Sequence, residues 1–344
     1  MDLTALIGNG SFSNGCNFDK LATPLTLTFD AGVIIAAIGG LVLLSKYKKN
    51  IFLRYMIVCG GIFIFEFFTS PMWNNWHLGR FAYVYQDVSW ILTAGWGILI
   101  LGAVTLVDHY FKKYRAGERF AVYLFFLTAA VFILEVLIVQ MGIRSYAPEV
   151  LHTAVGVFAA GVPIEVFYFV PVFLSLVIGF YKYWEFVVDN EILLPIKKRK
   201  FVRNFCLAFI GVLLFELMVE PLVTNTNFPA WSYIYRDISL LNTGVWILVL
   251  WISTNIIDYF FVHWSLSQRF LAYLFLIDLC ILPFESWLIH NGYRVYGPST
   301  VANFTGFVTP ITNVPIEIVF AIPLYMALVL AFVRYWEIII DNRK

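Results

Sequence analysis

Long apolar runs recur along this chain, separated by short segments rich in basic, aromatic and turn-forming residues. Each run holds about 20 residues, the length of α-helix that crosses a hydrocarbon core of about 30 Å. The pattern predicts nine spans, at about residues 28–45, 52–70, 88–107, 119–140, 163–183, 202–219, 238–258, 269–288 and 315–335. The predicted fold class is therefore all-α, a polytopic transmembrane helical bundle.

The composition supports integration into a membrane. Of the 344 residues 61% are hydrophobic and only 13% are charged, whereas soluble domains average about 45–50% apolar and 25% charged residues. The net charge is +1 and the basic residues are confined to loop clusters, so we expect no nucleic-acid partner. The four cysteines and five histidines lack metal-ligand spacing, and we predict no metal and no cofactor.

The basic residues also predict an orientation. The lysines and arginines fall in loops on one side of the predicted bundle, with five exceptions, which are Lys20, Arg80, Arg144, Arg236 and Arg294. Cytoplasmic loops carry such an excess of basic residues. We therefore predict an extracytoplasmic or luminal N-terminus and a cytoplasmic C-terminus. The oligomeric state is not predicted by these features.

The sequence repeats itself at an offset of about 150 residues. The segment VPIEVFYFVPVFLSLVIGFYKYWEFVVDN (162–190) returns as VPIEIVFAIPLYMALVLAFVRYWEIIIDN (314–342), and AYVYQDVSW (82–90) returns as SYIYRDISL (232–240). This predicts an N-terminal helix in residues 1–50 and two four-helix copies, in residues 51–200 and 201–344. Because each copy has an even number of helices, we expect a parallel repeat about an axis along the membrane normal.

The two copies retain the same acidic residues near the predicted outer side. The pairs are Glu66 with Glu216, Asp87 with Asp237, Glu135 with Glu285, and Glu165 with Glu317. Ionisable residues inside a membrane are costly and usually mark a functional interior. We therefore predict that these eight carboxylates are catalytic and that acids from both copies meet in one dry chamber. Asp278, whose equivalent is Thr128, is a further candidate in the second copy alone.

Structural roles remain open for the same residues. Asp87 and Asp237 precede predicted helix starts, where Asp is a favoured cap. Glu165 and Glu317 follow prolines, and an acid in a first helical turn suits the helix dipole. The more central glutamates could instead pair with arginines and lock helices together. Acids that recur on the inner side are interpreted as solvated interfacial charges; they are Glu185, Glu337, Asp189 and Asp341.

Aromatic residues make up 19% of the chain, and most are expected in membrane-interface belts and helix packing. Those near the retained carboxylates could line a pocket, where their π faces would stabilise a cation. The predicted substrate-binding residues are the two retained arginines and a set of aromatic residues, namely Arg144, Arg294, Tyr83, Tyr85, Tyr146, Tyr233, Tyr235, Tyr296, Trp90 and Trp246.

Two short motifs recur in the same order in both copies. LEVLIVQMGIRSYAP (134–148) precedes VPIEVFYFVP (162–171), and FESWLIHNGYRVYGP (284–298) precedes VPIEIVFAIP (314–323). This order resembles the membrane-integral lycopene cyclase family of bacteria, archaea and fungi. The resemblance implies that Glu135, Glu285, Glu165 and Glu317 match the acidic motif positions of that family. The chain differs in having four predicted helices per copy and an aliphatic residue after the glutamate of each VPIE segment.

The leading hypothesis is an enzyme that cyclises or isomerises an isoprenoid lipid, such as a carotenoid or terpenoid, in an outer-leaflet pocket. A carboxylic acid in a low-dielectric pocket can stay protonated near neutral pH and donate its proton to an alkene or epoxide. The alternatives are a proton-coupled transporter or channel and a non-catalytic subunit that binds a lipid. Tandem repeats and buried carboxylates favour transport, whereas the one-sided position of the acids disfavours it.

Overall fold

The structure is a computed structural model that describes residues 20–191 and 201–341. Cys16, residues 197–200, residues 343–344 and the predicted copy boundary lie outside these ranges. Within them the chain forms eleven α-helices: α1 Pro24–Leu44, α2 Ile51–Thr69, α3 Trp90–Tyr110, α4 Ala116–Gln140, α5 Pro148–Thr153, α6 Val166–Val188, α7 Phe201–Val219, α8 Leu240–Phe260, α9 Leu266–His290, α10 Pro298–Ala302 and α11 Ile316–Asp341. All except α5 and α10 are long and apolar enough to cross a membrane. The predicted all-α bundle of nine membrane-length helices is confirmed for the described ranges.

Ten short β-strands, which the sequence pattern did not predict, lie in the loops at one end of the bundle. They form five antiparallel pairs: β1 Trp73–Asn75 with β4 Arg144–Tyr146, β2 Tyr83–Tyr85 with β3 Val88–Ser89, β5 Phe158–Ala159 with β6 Val162–Pro163, β7 Val223–Asn225 with β10 Arg294–Tyr296, and β8 Tyr233–Tyr235 with β9 Ile238–Ser239. We call this end the strand end. The opposite end, where the lysine- and arginine-rich loops lie, is the basic end.

Two of the three strand pairs of the first half recur in the second half, where the equivalent of the pair β5–β6 is a single bridge between Val308 and Pro315. The register pairs Asn75 with Arg144 in one half and Asn225 with Arg294 in the other. These hairpin-like contacts tie the loop after α2 to the loop after α4, and the loop after α7 to the loop after α9. Because strand pairing satisfies the backbone polar groups of the loops, segments that leave the helices stay ordered beside the apolar core.

Helices α6 and α11 form the centre of the bundle. Gly179 of α6 lies against Phe332 of α11 so closely that an added Cβ would be 3.0 Å from the Phe332 Cα. Glycine at this position therefore allows the two helix backbones to approach. Helix α1 packs at the periphery, mainly on α3 and also on α2.

A buried ion-pair network lies at the basic end of the first half. Lys182 Nζ is 2.5 Å from Asp108 Oδ2 and 2.8 Å from Glu185 Oε2, and Arg54 Nη1 is 2.7 Å from Glu185 Oε1. Glu185 is only 9% exposed. The interpretation of Glu185 as a solvated charge is therefore wrong. The neighbouring basic side chains compensate the cost of removing this carboxylate from water.

The second half has an equivalent network around Arg334. Arg334 pairs with Glu337 and lies 3.0 Å from Asp258, and Arg269 is 3.2 Å from the same Asp258 carboxylate. Glu337 is 3% exposed, so it too is buried and not solvated as expected. The Arg334 network links α9 and α11 to the end of α8, where the apolar spans meet the basic loops.

The Arg334 network gives a stability prediction. Replacing Arg334 with Ala leaves Glu337 and Asp258 facing each other without their shared arginine, and breaking such a buried pair costs about 3–5 kcal/mol. We expect a clearly lower Tm for Arg334→Ala in detergent-solubilised protein. Lys113→Ala, in an exposed loop at the same end, is the control and should leave the Tm unchanged. Equal unfolding temperatures for both variants would contradict the proposed importance of the network.

Candidate functional site

A fully paired cluster surrounds Glu135 at the strand end of the first half. Arg144 Nη1 donates to Glu135 Oε2 at 3.0 Å, and the Tyr146 hydroxyl donates to Glu135 Oε1 at 2.7 Å. Arg144 Nε donates to Asn75 Oδ1 at 3.0 Å, and the guanidinium lies over the Trp73 ring. Burial and the adjacent carboxylate raise the pKa of Tyr146, so this phenol remains a hydrogen-bond donor.

The chain reaches this geometry through a tight turn after α4. Gly142 has φ +70° and its N–H donates to Val139 O, while Ile143 N donates to Ile138 O. A left-handed glycine at this point ends the helix and reverses the chain. The following strand residues then fold back beside the last turns of the helix, which places Arg144 next to Glu135. Gly292 has φ +68° at the equivalent turn after α9.

Glu66 lies close to this cluster and accepts a hydrogen bond from the Thr93 hydroxyl at 2.6 Å. Glu66, Glu135, Arg144 and Tyr146 line a small cavity of about 60 Å³. Within the described parts of the chain, the side-chain polar atoms of these four residues are either paired or reached by solvent. The polar side chains of the small cavity therefore leave no buried atom without a hydrogen-bond partner.

The equivalent cluster in the second half is incompletely paired. Tyr296 donates to Glu285 Oε1 at 2.5 Å, but Arg294 Nε lies 3.5 Å from the same oxygen without hydrogen-bond geometry. Arg294 Nη2 and Glu285 Oε2 have no hydrogen-bond partner among the described residues. Burial and the Glu285 charge raise the pKa of Tyr296, so this phenol also stays a donor.

One substitution between the halves accounts for much of this difference. Asn242, which replaces Leu92 of the first half, directs Nδ2 toward Asn225 Oδ1 at 3.5 Å. In the first half the equivalent oxygen accepts from Arg144. Asn242 thus competes with Arg294 for this acceptor.

The incompletely paired cluster opens into a larger cavity, of about 160 Å³. Two bulky residues that fill the small cavity, Trp73 and Phe169, have the equivalents Val223 and Ala321 in the second half. The smaller side chains leave the additional space. The lining combines acidic with aromatic side chains; the acids are Glu216, Glu220, Asp237, Glu285 and Glu317, and the aromatics include Phe215, Trp246 and Tyr325.

The expectation that acids from both copies share one chamber is wrong. Glu66 and Glu135 line the small cavity, whereas the acids of the large cavity all come from the second half. Packed aromatic rings lie between the two cavities: Phe68 contacts Phe65 with a centroid separation of 5.6 Å and Phe215 with one of 4.8 Å. Bulky rings at the centre of the bundle therefore divide the acids into two groups.

The first half nevertheless completes the large cavity. Tyr85 and Gln86 line it, and Gln86 Nε2 donates to the Asn303 carbonyl of the second half at 2.9 Å. A second cross-connection joins Glu149 Oε1 to the Ser299 backbone N–H at 2.6 Å. Loops from both halves thus form the wall of the cavity at the strand end.

The alternative of helix capping by Asp87 is wrong, because α3 begins at Trp90 with Ser89 as its cap residue. The Asp87 carboxylate pairs with Lys20 and accepts from the Asn75 backbone N–H at 2.8 Å. Asp87 therefore fixes the loop that positions Asn75. Its equivalent Asp237 lines the large cavity, so only the second-half residue is close to the other acids.

Glu165 and Glu317 also bind loop backbone, and Glu317 lies in the first turn of α11, as the helix-dipole alternative expected. Glu165 Oε1 accepts from Val155 N, and Glu317 Oε1 accepts from Thr305 N, both at 2.6 Å. Helix α6 begins at Val166 with no side-chain cap from Glu165. Glu317 lines the large cavity and its Oε2 has no hydrogen-bond partner in the ranges described.

The remaining predicted residues divide between the site and its surroundings. Trp246 and Tyr85 line the large cavity. Tyr83 and Tyr233 instead donate to the carbonyls of Asn75 and Asn225. The other three predicted residues do not border either cavity; they are Asp278, whose Oδ1 is buried in α9, and Trp90 and Tyr235, which are exposed at 40% and 42%.

Several residues of the large cavity were not predicted, among them the acid Glu220 and the polar residues Asn242, Tyr325 and Gln86. Repetition of the sequence does not reveal Asn242, Tyr325 and Gln86, because the two copies do not share them. Each of them differs from its equivalent, which is Leu92, Phe173 and Arg236, respectively. Asn242 and Tyr325 show the signal that the sequence does contain: at these positions one copy has a polar residue where the other has an apolar one. No group of three His, Cys, Asp or Glu residues within the described ranges is arranged to hold a metal ion.

Comparison with known proteins adds no assignment. No family model, curated protein or solved structure matches this chain.

The role of Asn242 can be tested by exchanging it with its equivalent. In Asn242→Leu the Asn225 oxygen is released to accept from Arg294, as Asn75 accepts from Arg144, and one net hydrogen bond contributes about 1 kcal/mol. We expect a higher Tm for this variant in detergent. The reciprocal Leu92→Asn change should lower the Tm, because it introduces a competitor for Arg144. A lower Tm for Asn242→Leu would show that Asn242 is needed for packing instead.

Proposed function

We propose that this protein is an integral-membrane enzyme that cyclises or isomerises an isoprenoid lipid by carboxylic-acid proton transfer. One observation carries the proposal: the large cavity combines several acids with aromatic faces and leaves some of the acidic oxygens unpaired. Protein carboxyls that serve only stability are normally satisfied by hydrogen bonds or ion pairs, as Glu135 is in the first half.

The architecture that we propose is two copies of one four-helix unit about an axis along the membrane normal, preceded by α1. The recurring strand pairs and ion-pair networks of the two halves support it. We place the strand end and the N-terminus on the extracytoplasmic or luminal side, because the basic loops favour the cytoplasm. In this arrangement the large cavity faces the outer leaflet.

The two halves would have different tasks. The first half, with a small and fully paired cluster, serves as scaffold, whereas the second half contains the reaction site. This division follows from the exchange of Trp73 and Phe169 for Val223 and Ala321, and of Leu92 for Asn242. The changes enlarge the cavity and release polar atoms at the same place.

Two acids of the large cavity take the two roles in the proposed proton transfer, one as proton donor and the other as proton acceptor. Glu285 accepts from Tyr296 and faces Arg294, and we assign it as the proton acceptor. Glu317 binds a loop N–H with one oxygen and has a second, unpaired oxygen, and we assign it as the proton donor. Glu317 would protonate an alkene carbon and Glu285 would remove a proton from a neighbouring carbon, so that substrate and product are isomers. The proton then returns to Glu317 through solvent.

Aromatic side chains would stabilise the carbocation between these two steps. Phe215 and Tyr325 stack with a centroid distance of 3.5 Å, and Trp246 meets Tyr325 edge-on at 5.6 Å. π faces attract cations and do not react with them as water would. An apolar chain within such walls agrees with an isoprenoid substrate, as does the resemblance to the lycopene cyclase family.

The position of the cavity favours an enzyme over a transporter. Its lining residues belong to the strand-end loops and the adjoining helix turns. Buried ion pairs occupy the basic end of both halves. A transport route requires polar access from both sides. Solute flux in reconstituted vesicles that a protonophore abolishes would reverse this ranking.

The proposal predicts the effect of Glu285→Gln. Purified protein should convert a linear isoprenoid without added cofactor, and Glu285→Gln should reduce turnover by about 100-fold or more, because acid–base groups typically contribute 10²–10⁴-fold. Product formation is measured by liquid chromatography and mass spectrometry. Glu135→Gln is the matched control: it alters the equivalent acid in the scaffold half and should retain most of the activity. Full turnover by Glu285→Gln would refute the assignment.

Filling the large cavity gives an independent test. Ala321→Phe restores the bulky residue that the first half has as Phe169, and the ring should occupy the space of the substrate. We expect loss of isoprenoid turnover with a Tm within a few degrees of wild type, measured on the same preparation. Phe169→Ala enlarges the scaffold cavity and should lower the Tm without abolishing turnover. Unchanged turnover in Ala321→Phe would place the reaction elsewhere.

A further inference from the structure

Residues that line the large cavity contribute seven buried polar atoms without a hydrogen-bond partner. They are the carboxylate oxygens Glu285 Oε2 and Glu317 Oε2, the amide oxygens Gln86 Oε1 and Asn242 Oδ1, the guanidinium atoms Arg294 Nε and Nη2, and the Tyr325 hydroxyl. None of them has a hydrogen-bond partner within residues 20–191 and 201–341. Three of the side chains are almost completely buried, with exposed fractions of 1% for Glu285, 2% for Asn242 and 6% for Tyr325.

The number of unpaired polar atoms distinguishes the large cavity from the small cavity. The acids, arginine and tyrosine that line the small cavity, Glu66, Glu135, Arg144 and Tyr146, leave no buried side-chain atom without a partner. Glu165, the equivalent of Glu317, has one unpaired oxygen but does not line that cavity. Two of the seven atoms belong to residues that are apolar in the first half, since Asn242 replaces Leu92 and Tyr325 replaces Phe173. The second half has therefore acquired buried polar groups that its own protein atoms do not satisfy.

We infer that the natural ligand of the large cavity is an oxygenated isoprenoid, with a neutral hydroxyl group at this polar cluster, and not a pure hydrocarbon. The inference rests on the proposed function in taking the large cavity as the reaction site. A hydrocarbon would leave every one of these atoms buried and unpaired, which strongly disfavours binding.

The mixture of hydrogen-bond donors and acceptors in this polar cluster indicates which oxygen-containing group of the ligand binds there. Arg294 offers donors, Asn242 and Glu285 offer acceptors, and Tyr325 can act as either. A hydroxyl group both donates and accepts, so it can satisfy one group of each kind. A carboxylate on the ligand would meet Glu285 and Glu317, and an ammonium group would meet Arg294, so like charges disfavour both. Phe215, Trp246 and Tyr325 would hold the adjoining apolar chain.

The inference is tested by binding, which does not require turnover. The probes are farnesol, a linear isoprenoid alcohol, and farnesene, the hydrocarbon of the same carbon number. Binding to wild-type protein in detergent is followed by quenching of tryptophan fluorescence and by the shift in Tm. We expect farnesol to bind about tenfold or more tightly than farnesene, because unpaired polar groups penalise the hydrocarbon.

The double variant Asn242→Leu/Tyr325→Phe gives both positions their first-half residues. It should lose the preference for farnesol while retaining affinity for farnesene. Leu92→Asn/Phe173→Tyr, the reverse exchange in the scaffold half, should leave the preference unchanged. If the double variant does not fold, Tyr325→Phe alone removes one hydroxyl and should weaken the preference about threefold or more.

The outcomes separate this inference from the proposed function. Equal binding of both probes by the wild type would overturn the inference, since it would mean that solvent satisfies the polar cluster. Conversion of a hydrocarbon without any preference for the alcohol would overturn it while supporting the enzyme. Preferential binding of farnesol by a protein that converts no isoprenoid would support the inference and overturn the enzymatic proposal.

Discussion

The pairing of buried charge near the strand end is the constraint on which the structure depends. An arginine removed from water inside an apolar bundle must meet a carboxylate, or the fold loses the free energy gained by burial. Arg144 meets this requirement through Glu135, Tyr146 and Asn75. The glycine turn before Arg144 and the strand pair that contains it hold the side chain in this position. Arg294 meets it only in part. The two halves therefore differ in how completely their buried arginine is paired.

The sequence predicted the helices well because the membrane imposes one simple rule. A span must be apolar over a fixed length, so the nine long helices of the described ranges appear near their predicted positions. The strands were missed because each is only two or three residues long and lies in a loop without alternating apolar residues. Glu185 and Glu337 were misinterpreted for a related reason. Their basic partners, among them Arg54 and Lys182, come from distant parts of the chain.

The sequence predicted many of the residues that line the large cavity, but it did not predict that the acids of the two halves lie in separate cavities. Shared residues such as Glu285 and Arg294 line the large cavity as expected, but repetition alone implied that both copies contribute equally. The decisive positions are those where the copies disagree in size or polarity. A change from Phe169 to Ala321 or from Leu92 to Asn242 has no meaning until the fold shows that both positions border the same space.

The contact between Gln86 and Asn303 has a consequence for truncation of the chain. Part of the second half's cavity wall is supplied by the first half, since Tyr85 and Gln86 line that cavity. A fragment that holds only the second half would lack this wall, and the acids of the cavity would be open to water. The interlocking loops therefore make the two halves interdependent, although each half has its own set of helices.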